Sequence, residues 1–179
     1  MSIPFKSAGD RLKDCIRDIP DFPKPGILFR DITPILSNGQ MFRLAITIFA
    51  ERYQRKSIDK IAAIDARGFI FGGAVAHVLG VGFVPIRKKG KLPSKTFEVS
   101  YDLEYGNNVL TIHEDAIKPG ERVIILDDVL ATGGTAKAAA DLVEKCGGKI
   151  IEMAFLIELQ ALAGREKFPG IPTISIIQY

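Results

Sequence analysis

Blocks of apolar residues alternate with polar segments along the chain, and this alternation predicts an α/β fold. Short apolar runs rich in β-branched residues begin near positions 60, 83, 123, 151 and 173. Such runs are typical of strands that are buried on both faces of a parallel sheet. Residues 40–55 and 138–143 instead carry apolar residues at helical spacing. Strands that alternate with helices predict a doubly wound, mostly parallel sheet.

Two smaller features follow from the same pattern. Ser7 is a candidate N-cap of a first helix, and the apolar face of that helix would continue to Ile19. Residues 97–113 alternate enough to predict a β-hairpin that turns at Gly106 and Asn107.

Composition narrows the class of protein. The chain has 179 residues, of which 47% are hydrophobic, which is enough for one ordinary core and predicts a single domain over residues 1–179. No apolar run approaches the length of a membrane span, and the first six residues lack the apolar core of a signal peptide. We therefore expect a cytoplasmic protein with no membrane partner. Cys15 and Cys146 are isolated in the sequence, which favours reduced, structural thiols.

The positive charge of the chain is concentrated in one segment. The formal net charge is +3, and residues 87–95 alone hold five basic side chains and no acidic one. A focused patch of this kind suits a small polyanion better than a nucleic-acid duplex. We therefore expect no nucleic-acid partner.

The most informative stretch joins an apolar run to two acids and a loop of small residues. The apolar run ends at Asp127 and Asp128, which could accept hydrogen bonds from the vicinal hydroxyls of a ribose. The loop then offers backbone N–H groups and two hydroxyls at the start of a helix, which suits a phosphate. The loop residues are Ala131, Thr132, Gly133, Gly134 and Thr135. The loop has no lysine, which fits a single phosphate, and the chain lacks the triphosphate and dinucleotide glycine motifs. The plainer alternative is that the acids only end a strand and the loop only turns the chain.

The thirteen residues 123–135 resemble the phosphoribosyl pyrophosphate (PRPP) signature of type I phosphoribosyltransferases. In that family an acidic pair contacts the ribose hydroxyls and a T-G-G-T loop holds the 5-phosphate. The resemblance therefore assigns Asp127 and Asp128 to the ribose and residues 131–135 to the 5-phosphate.

The N-terminal region carries a second resemblance. From Asp21, the pattern D-F-P-x-P-G-x-x-F-R-D is similar to a segment of the adenine phosphoribosyltransferases that forms a hood over the purine. The resemblance implies a hood at residues 1–35, in which Phe29 stacks on the base and the backbone around Leu28 and Arg30 reads its edge. By themselves these residues indicate only a loop and a short strand.

A third motif follows the first strand of the sheet. Asp65, Ala66, Arg67 and Gly68 resemble the family's D-S-R-G-F turn, which binds pyrophosphate through backbone amides and the arginine, often across a non-proline cis peptide. Ala66 replaces the usual serine, so a hydroxyl contact is lost at that position. Judged from the residues alone, Asp65 could instead cap a helix and pair with Arg67.

The basic segment carries a fourth resemblance. Its R-K-x-G-K-L-P pattern is similar to that of the adenine enzymes and implies a flexible lid at residues 87–113 that closes over pyrophosphate. Arg87, Lys88 and Lys91 are the candidate pyrophosphate ligands, and the family's dimers suggest that Arg87 serves the neighbouring subunit. The alternative is an ordinary solvated loop.

The hairpin contains the candidate catalytic acid–base group. The sequence S-Y-x-L-E-Y-G at residues 100–106 is similar to that of the adenine enzymes, whose glutamate exchanges the proton on purine N7. The resemblance assigns this role to Glu104. Partial desolvation by Tyr101 and Tyr105 would raise its pKa towards neutrality, as a general acid–base group requires.

Together these resemblances imply a type I phosphoribosyltransferase fold with a hood and a hairpin lid, and a homodimer. The implied reaction converts adenine and PRPP to AMP and pyrophosphate. Mg²⁺ would be bound mainly by pyrophosphate and water, without a dedicated protein metal site. One alternative is a non-catalytic sensor of PRPP or purines that binds DNA or RNA, which should carry an extra domain or a broad basic face. Another is a transferase for a different 6-substituted purine, which would lack the hood and the glutamate.

Overall fold

A computed structural model describes residues 6–103 and 106–179. The chain divides into two compact units, Met1–Ile48 and Phe49–Tyr179, and the single-domain organisation stays a prediction. Within the described ranges, no helix combines the length and the apolar character that crossing a bilayer requires.

The N-terminal unit is built from short elements. Ser7 caps the first helix as predicted: its hydroxyl accepts the Asp10 N–H at 3.1 Å, and the Asp10 carboxylate accepts the Ser7 N–H at 3.2 Å. This capping box offsets two of the unpaired donors at the helix start. The elements are α1 (Ala8–Lys13), β1 (Arg17–Ile19), β2 (Phe29–Asp31), α2 (Thr33–Ser37) and the start of α3 (Gly39–Tyr53).

The first helix is shorter than the apolar spacing predicted. It ends at Lys13, and Arg17–Ile19 form β1, which pairs antiparallel with β2 so that Ile19 lies opposite Phe29. A six-residue helix has little intrinsic stability. Pairing with β2, ten residues further on, supplies backbone hydrogen bonds that the local pattern does not reveal.

The larger unit forms the predicted doubly wound sheet. Its strands lie in the order β5-β6-β4-β3-β7-β8-β9; neighbours from β4 to β9 are parallel, and β6 runs antiparallel to both β4 and β5. The elements are β3 (Lys60–Ile64), α4 (Arg67–Leu79), β4 (Gly82–Lys88), β5 (Thr96–Leu103), β6 (Gly106–His113), β7 (Arg122–Leu130), α5 (Gly134–Lys145), β8 (Lys149–Glu158), two 3₁₀ turns (Gln160–Leu162 and Gly164–Lys167) and β9 (Thr173–Gln178).

Strand β7 lies in the middle of the core. The four apolar residues from Val123 to Leu126 have no exposed surface. Val123 and Ile125 belong to one cluster with Leu142 of α5, whereas α4 packs against β3 and β7 on the other face, where Gly72 lies against Ala63. Burying each such aliphatic side chain contributes about 1.5–3 kcal/mol. The apolar run therefore fixes β7 between two layers of helices.

Two predicted boundaries were wrong. Strand β7 does not stop at the acidic pair but continues to Leu130, because Asp127 and Leu130 still pair with residues of β8. The hairpin does not turn at Gly106 and Asn107, because these residues belong to β6 and pair with Leu103 and Asp102 of β5. Residues 104–105 lie outside the described part of the chain.

Candidate active site

A pocket of about 240 Å³ opens at the carboxyl end of β7. This end of the strands is where open α/β sheets bind ligands. The pocket is lined by Arg67 and by residues 127–136. The fold thus brings the predicted pyrophosphate arginine, the acidic pair and the phosphate loop into one cavity.

The loop at the start of α5 has the geometry of an anion site. Gly133 is the N-cap of the helix, with φ +82° and ψ −6°, a left-handed conformation that favours glycine. A glycine cap has no side chain to occupy the first N–H groups of the helix. These groups and the positive end of the twelve-residue helix α5 therefore face the pocket and suit a phosphate.

The acidic pair lines the same pocket, and Asp128 pairs with Arg67. Asp128 is 4% exposed, and its N–H donates to Asp127 Oδ1 at 2.9 Å. Arg67 Nε lies 2.8 Å from Asp128 Oδ2, yet that oxygen accepts no hydrogen bond from the described residues. The two groups therefore meet as an ion pair without hydrogen-bond alignment, and this oxygen, which has almost no accessible surface, contacts Arg67 rather than solvent.

Burial sets the protonation of both acids. It raises the pKa of Asp127 well above that of an ordinary carboxyl, and the charge of Asp128 raises it further. Burial also raises the pKa of Asp128, although the guanidinium of Arg67 opposes this shift. Hydrogen-bond donors or positive charge on a bound ligand would favour the ionised forms.

Helix α4 is held close to the acidic pair by a glycine. A Cβ placed on Gly68 would lie 2.7 Å from Asp127 Oδ1 and 3.1 Å from the carbonyl oxygen of Leu126. A methyl group does not fit at these distances. Gly68 therefore permits the first turn of α4, which carries Arg67, to lie directly on β7.

The turn before α4 has the predicted backbone but a different pairing. The peptide bond between Asp65 and Ala66 is cis, and Ala66 is the N-cap without a side-chain hydrogen bond. Asp65 accepts the Arg87 Nε–H at 2.8 Å, whereas Arg67 pairs with Asp128. The alternative in which Asp65 caps the helix is therefore wrong.

The comparisons with known proteins agree with this geometry. Residues 31–176 match the family model described as the phosphoribosyl transferase domain. A curated relative from Methylacidiphilum infernorum, named adenine phosphoribosyltransferase, is 62% identical over 179 residues and covers all of both chains. The chain belongs to the adenine phosphoribosyltransferase family.

Solved structures of this family share the fold. An adenine phosphoribosyltransferase from Thermoanaerobacter pseudethanolicus superimposes with a TM-score of 0.92 at 50% identity, covering 96% of this chain and 99% of that one. The Saccharomyces cerevisiae enzyme, solved with adenine and an imino-altritol bisphosphate, gives 0.90 at 42% identity, covering 94% and 98% of the two chains. The predicted type I phosphoribosyltransferase fold is confirmed.

The basic residues of the predicted lid fall into two groups. Arg87 is held in place: besides Asp65, its Nη1 donates to the carbonyl oxygen of Lys91 at 3.1 Å, and its guanidinium lies 5.9 Å from the centre of the Phe69 ring. Lys88 and Lys91 are exposed to solvent and are not among the residues that line the 240 Å³ pocket. Of the predicted pyrophosphate residues, Arg67 lines that cavity, whereas Asp65 and Arg87, which pair with each other, and the two lysines are not among its lining residues.

The residues predicted to bind the purine lie elsewhere in the chain. Leu28, Phe29 and Arg30 belong to the N-terminal unit, where Leu28 is 45% exposed. Phe29 packs edge-to-face on Phe22 with ring centres 5.1 Å apart, and Arg30 forms an ion pair with Asp18. Glu104 lies outside the described residues. The adenine contacts of the family therefore stay predictions for this chain.

One contact with the phosphate loop could not be foreseen from the sequence. A Cβ on Gly133 would lie only 2.1 Å from the carbonyl oxygen of Gly164, which belongs to the turn after β8. That turn is a short 3₁₀ segment, Gly164–Lys167. Nothing local in that segment indicates that it contacts a loop thirty residues earlier.

Proposed function

We propose that the chain transfers the phosphoribosyl group of PRPP to adenine and releases AMP and pyrophosphate. The observation that carries the proposal is the pocket in which a helix N-terminus and the acidic pair Asp127 and Asp128 lie side by side. The first suits a phosphate and the second a sugar hydroxyl, so their combination suits a ribose 5-phosphate. Membership of the adenine phosphoribosyltransferase family supports the choice of base, as does the yeast relative solved with adenine.

In this proposal the two halves of the pocket hold different parts of PRPP. The 5-phosphate lies against the backbone N–H groups and hydroxyls of residues 131–135. The ribose hydroxyls donate to Asp127 and Asp128, which both line the pocket. Ribose binding would then lower the pKa of both acids from their raised values and leave two negative charges beneath the sugar.

The same charges suit the reaction. When the bond between C1′ and pyrophosphate breaks, positive charge develops on the ribose, and the ionised acidic pair would stabilise it. Arg67 and Arg87, with the backbone of residues 65–68, would hold the pyrophosphate that leaves. Lys88 and Lys91 would neutralise its remaining charge from the lid. The protein then contributes mainly positioning and electrostatics.

The pocket also fits a magnesium ion that arrives with PRPP. Mg²⁺ usually keeps several waters and binds through one or two carboxylates together with substrate phosphates. The pocket offers two carboxylates, Asp127 and Asp128, and the described residues contain no cluster of three or more metal-binding side chains. These two acids would hold the ion, directly or through water. When bound, the ion would neutralise charge on the leaving pyrophosphate.

The proposal assigns base recognition to the predicted hood and hairpin. Glu104 would take the proton from purine N7 or return it, and Phe29 would stack on adenine beside the backbone of Leu28 and Arg30. Aromatic stacking on a base contributes about 1–3 kcal/mol. Replacing Phe29 with alanine should therefore raise KM for adenine by roughly tenfold or more and change KM for PRPP little.

We further propose that the chain forms a homodimer. Apolar side chains are exposed on α4 and β4: Ile70 is 40%, Val78 59% and Phe83 38% exposed. Covering such side chains with a second copy would remove apolar surface from water. Light scattering after size exclusion should give the mass of two chains, and Val78→Glu should shift the protein towards the mass of one.

The reaction is tested by supplying PRPP, Mg²⁺ and one purine base at a time. The purified protein should form AMP from adenine and little product from hypoxanthine, xanthine or guanine, and Asp128→Asn should abolish the activity. Preferential turnover of another base would make the chain a different purine transferase. If PRPP binds but no base is consumed, the chain is a sensor.

A further inference from the structure

We infer that Gly164 and Arg165 position the phosphate loop for the 5-phosphate of the substrate. The inference rests on the proposed function and adds two residues that act through the loop. It concerns the contact between the turn Gly164–Lys167 and the loop before α5. Neither residue lines the 240 Å³ pocket.

The turn and the loop touch backbone to backbone. A Cβ on Gly133 would lie 2.1 Å from the Gly164 carbonyl oxygen, 2.9 Å from its carbonyl carbon and 3.0 Å from its Cα. In the other direction, a Cβ on Gly164 would lie 2.3 Å from the carbonyl oxygen of Ala131 and 3.1 Å from the Gly133 nitrogen. The two segments therefore fit together only because positions 133 and 164 are both glycine. Gly164 occupies the side of the loop into which Gly133 would otherwise move.

An ion pair between Arg165 and the buried Glu158 fixes the turn that carries Gly164. Arg165 donates through Nε and Nη2 to the two oxygens of Glu158, at 2.6 and 2.5 Å, and through Nη1 to the Thr173 carbonyl oxygen at 2.8 Å. The hydroxyl of Ser175 donates to Glu158 Oε2 at 2.7 Å. Glu158 is 5% exposed. The bidentate geometry, which only arginine provides, holds the turn to both β8 and β9.

Glu158, which binds Arg165 of the turn, is paired in the sheet with Leu130, which precedes the phosphate loop. Glu158, the last residue of β8, pairs with Leu130, the last residue of β7, and the Leu159 N–H donates to the Leu130 carbonyl oxygen at 2.9 Å. The phosphate loop begins at the next residue after Leu130. A change at Arg165 is thus transmitted to the loop through a short, rigid connection, the paired ends of β8 and β7. On the other side of the turn, Phe168 is buried in the core.

The inference predicts a defect that is specific for the phosphate. In Gly164→Ala, the new methyl must displace the Ala131 carbonyl and with it the N–H groups of the loop. A displacement of about 1 Å in a binding group can cost up to about a hundredfold, so AMP should bind at least about tenfold more weakly. Adenosine, which lacks the 5-phosphate, should bind as it does to the wild type. Gly39→Ala is the matched control, because a methyl at Gly39 meets no atom within 4 Å.

Two variants of Arg165 test the inference even if Gly164→Ala does not fold. Arg165→Lys retains the charge but not the bidentate contact, so it should weaken AMP about as much as Arg165→Met does. Arg43→Met, at an exposed position of α3, is the matched control. Calorimetry should measure AMP and adenosine affinities for each protein, with KM for PRPP and for adenine measured alongside.

The outcomes separate the inference from the proposed function. An unchanged ratio of AMP to adenosine affinity in both Gly164→Ala and Arg165→Lys overturns the role of the turn, whatever their thermal stability. Equal weakening of both ligands does the same, because it indicates general destabilisation. If wild-type protein forms no AMP from PRPP and adenine, the proposed function fails instead, and this is seen before any variant is made.

Discussion

The contact at Gly68 allows a sharp test of how the fold holds the acidic pair. In Gly68→Ala the added Cβ would lie 2.7 Å from Asp127 Oδ1, 3.1 Å from the Leu126 carbonyl oxygen and 3.3 Å from Asp127 Cα. Two of these three atoms belong to the backbone of β7. That strand is buried between two layers of helices, so it cannot move away easily. The first turn of α4 and the Asp127 side chain must shift instead.

The expected costs differ for stability and for activity. Overpacking a tight site typically costs 1–3 kcal/mol, and for a chain of this size about 1 kcal/mol lowers Tm by roughly 2–4 °C. Gly68→Ala should therefore fold and melt roughly 2–12 °C below the wild type. Because the clash displaces both Asp127 and the turn that carries Arg67, kcat/KM for PRPP should fall much further, by about a hundredfold.

The measurement pairs thermal melts with steady-state kinetics on Gly68→Ala and on Gly39→Ala, where the same methyl meets open space. The control should retain wild-type activity and stability. If Gly68→Ala keeps wild-type kcat/KM, the close packing of α4 on β7 does not set the geometry of the acidic pair, and the reasoning is refuted.

Three further predictions concern protonation. Asp127→Asn should abolish turnover yet stabilise the free protein at pH 7 by on the order of 1 kcal/mol. Folding raises the pKa of the Asp127 carboxyl, so this carboxyl makes the folded protein less stable as pH rises above the ordinary pKa of the group. The Tm advantage of the variant should therefore vanish near pH 4. Glu104→Leu should lower kcat by at least about a hundredfold with unchanged PRPP affinity, and undiminished turnover would remove Glu104 from the mechanism. Tyr53→Phe should cost about 1–2 kcal/mol in urea unfolding at pH 7 without altering kcat, since it removes a 2.7 Å hydrogen bond to Glu152. Burial raises the pKa of Glu152, but hydrogen bonds from Arg52 and Tyr53 hold it below its usual range. The stabilisation by these hydrogen bonds is therefore present above that pH range and is lost as pH falls. An equal stability deficit of Tyr53→Phe at pH 7 and at pH 3 would contradict the assignment.

Features set by local sequence were predictable. The strand Lys60–Ile64 begins where it was predicted, because a short apolar run before a polar turn specifies a buried strand without reference to partners. The order of β7, loop and α5 was predictable for the same reason, because the apolar run, the small loop residues and the helical spacing each indicate one element locally. The resemblance to the family then placed Asp127 and Asp128 in a pocket with the loop.

Features set by distant partners were not predictable. Ile19 fits a helical face as well as a strand, and only its pairing with Phe29 decides between them. The end of β7 depends on how far β8 runs beside it. The role of Gly164 depends on its closeness to Gly133, which no spacing in the chain encodes.

Under the proposed function, the acidic pair has a consequence for inhibitors and for substrate analogues. A compound whose sugar or sugar mimic lacks one of the hydroxyls would forgo a hydrogen bond to a charged carboxylate, a loss of about 1.5–3 kcal/mol. That amounts to roughly ten- to 150-fold selectivity for hydroxylated over deoxygenated rings. Medicinal chemists should therefore retain the diol and vary the base.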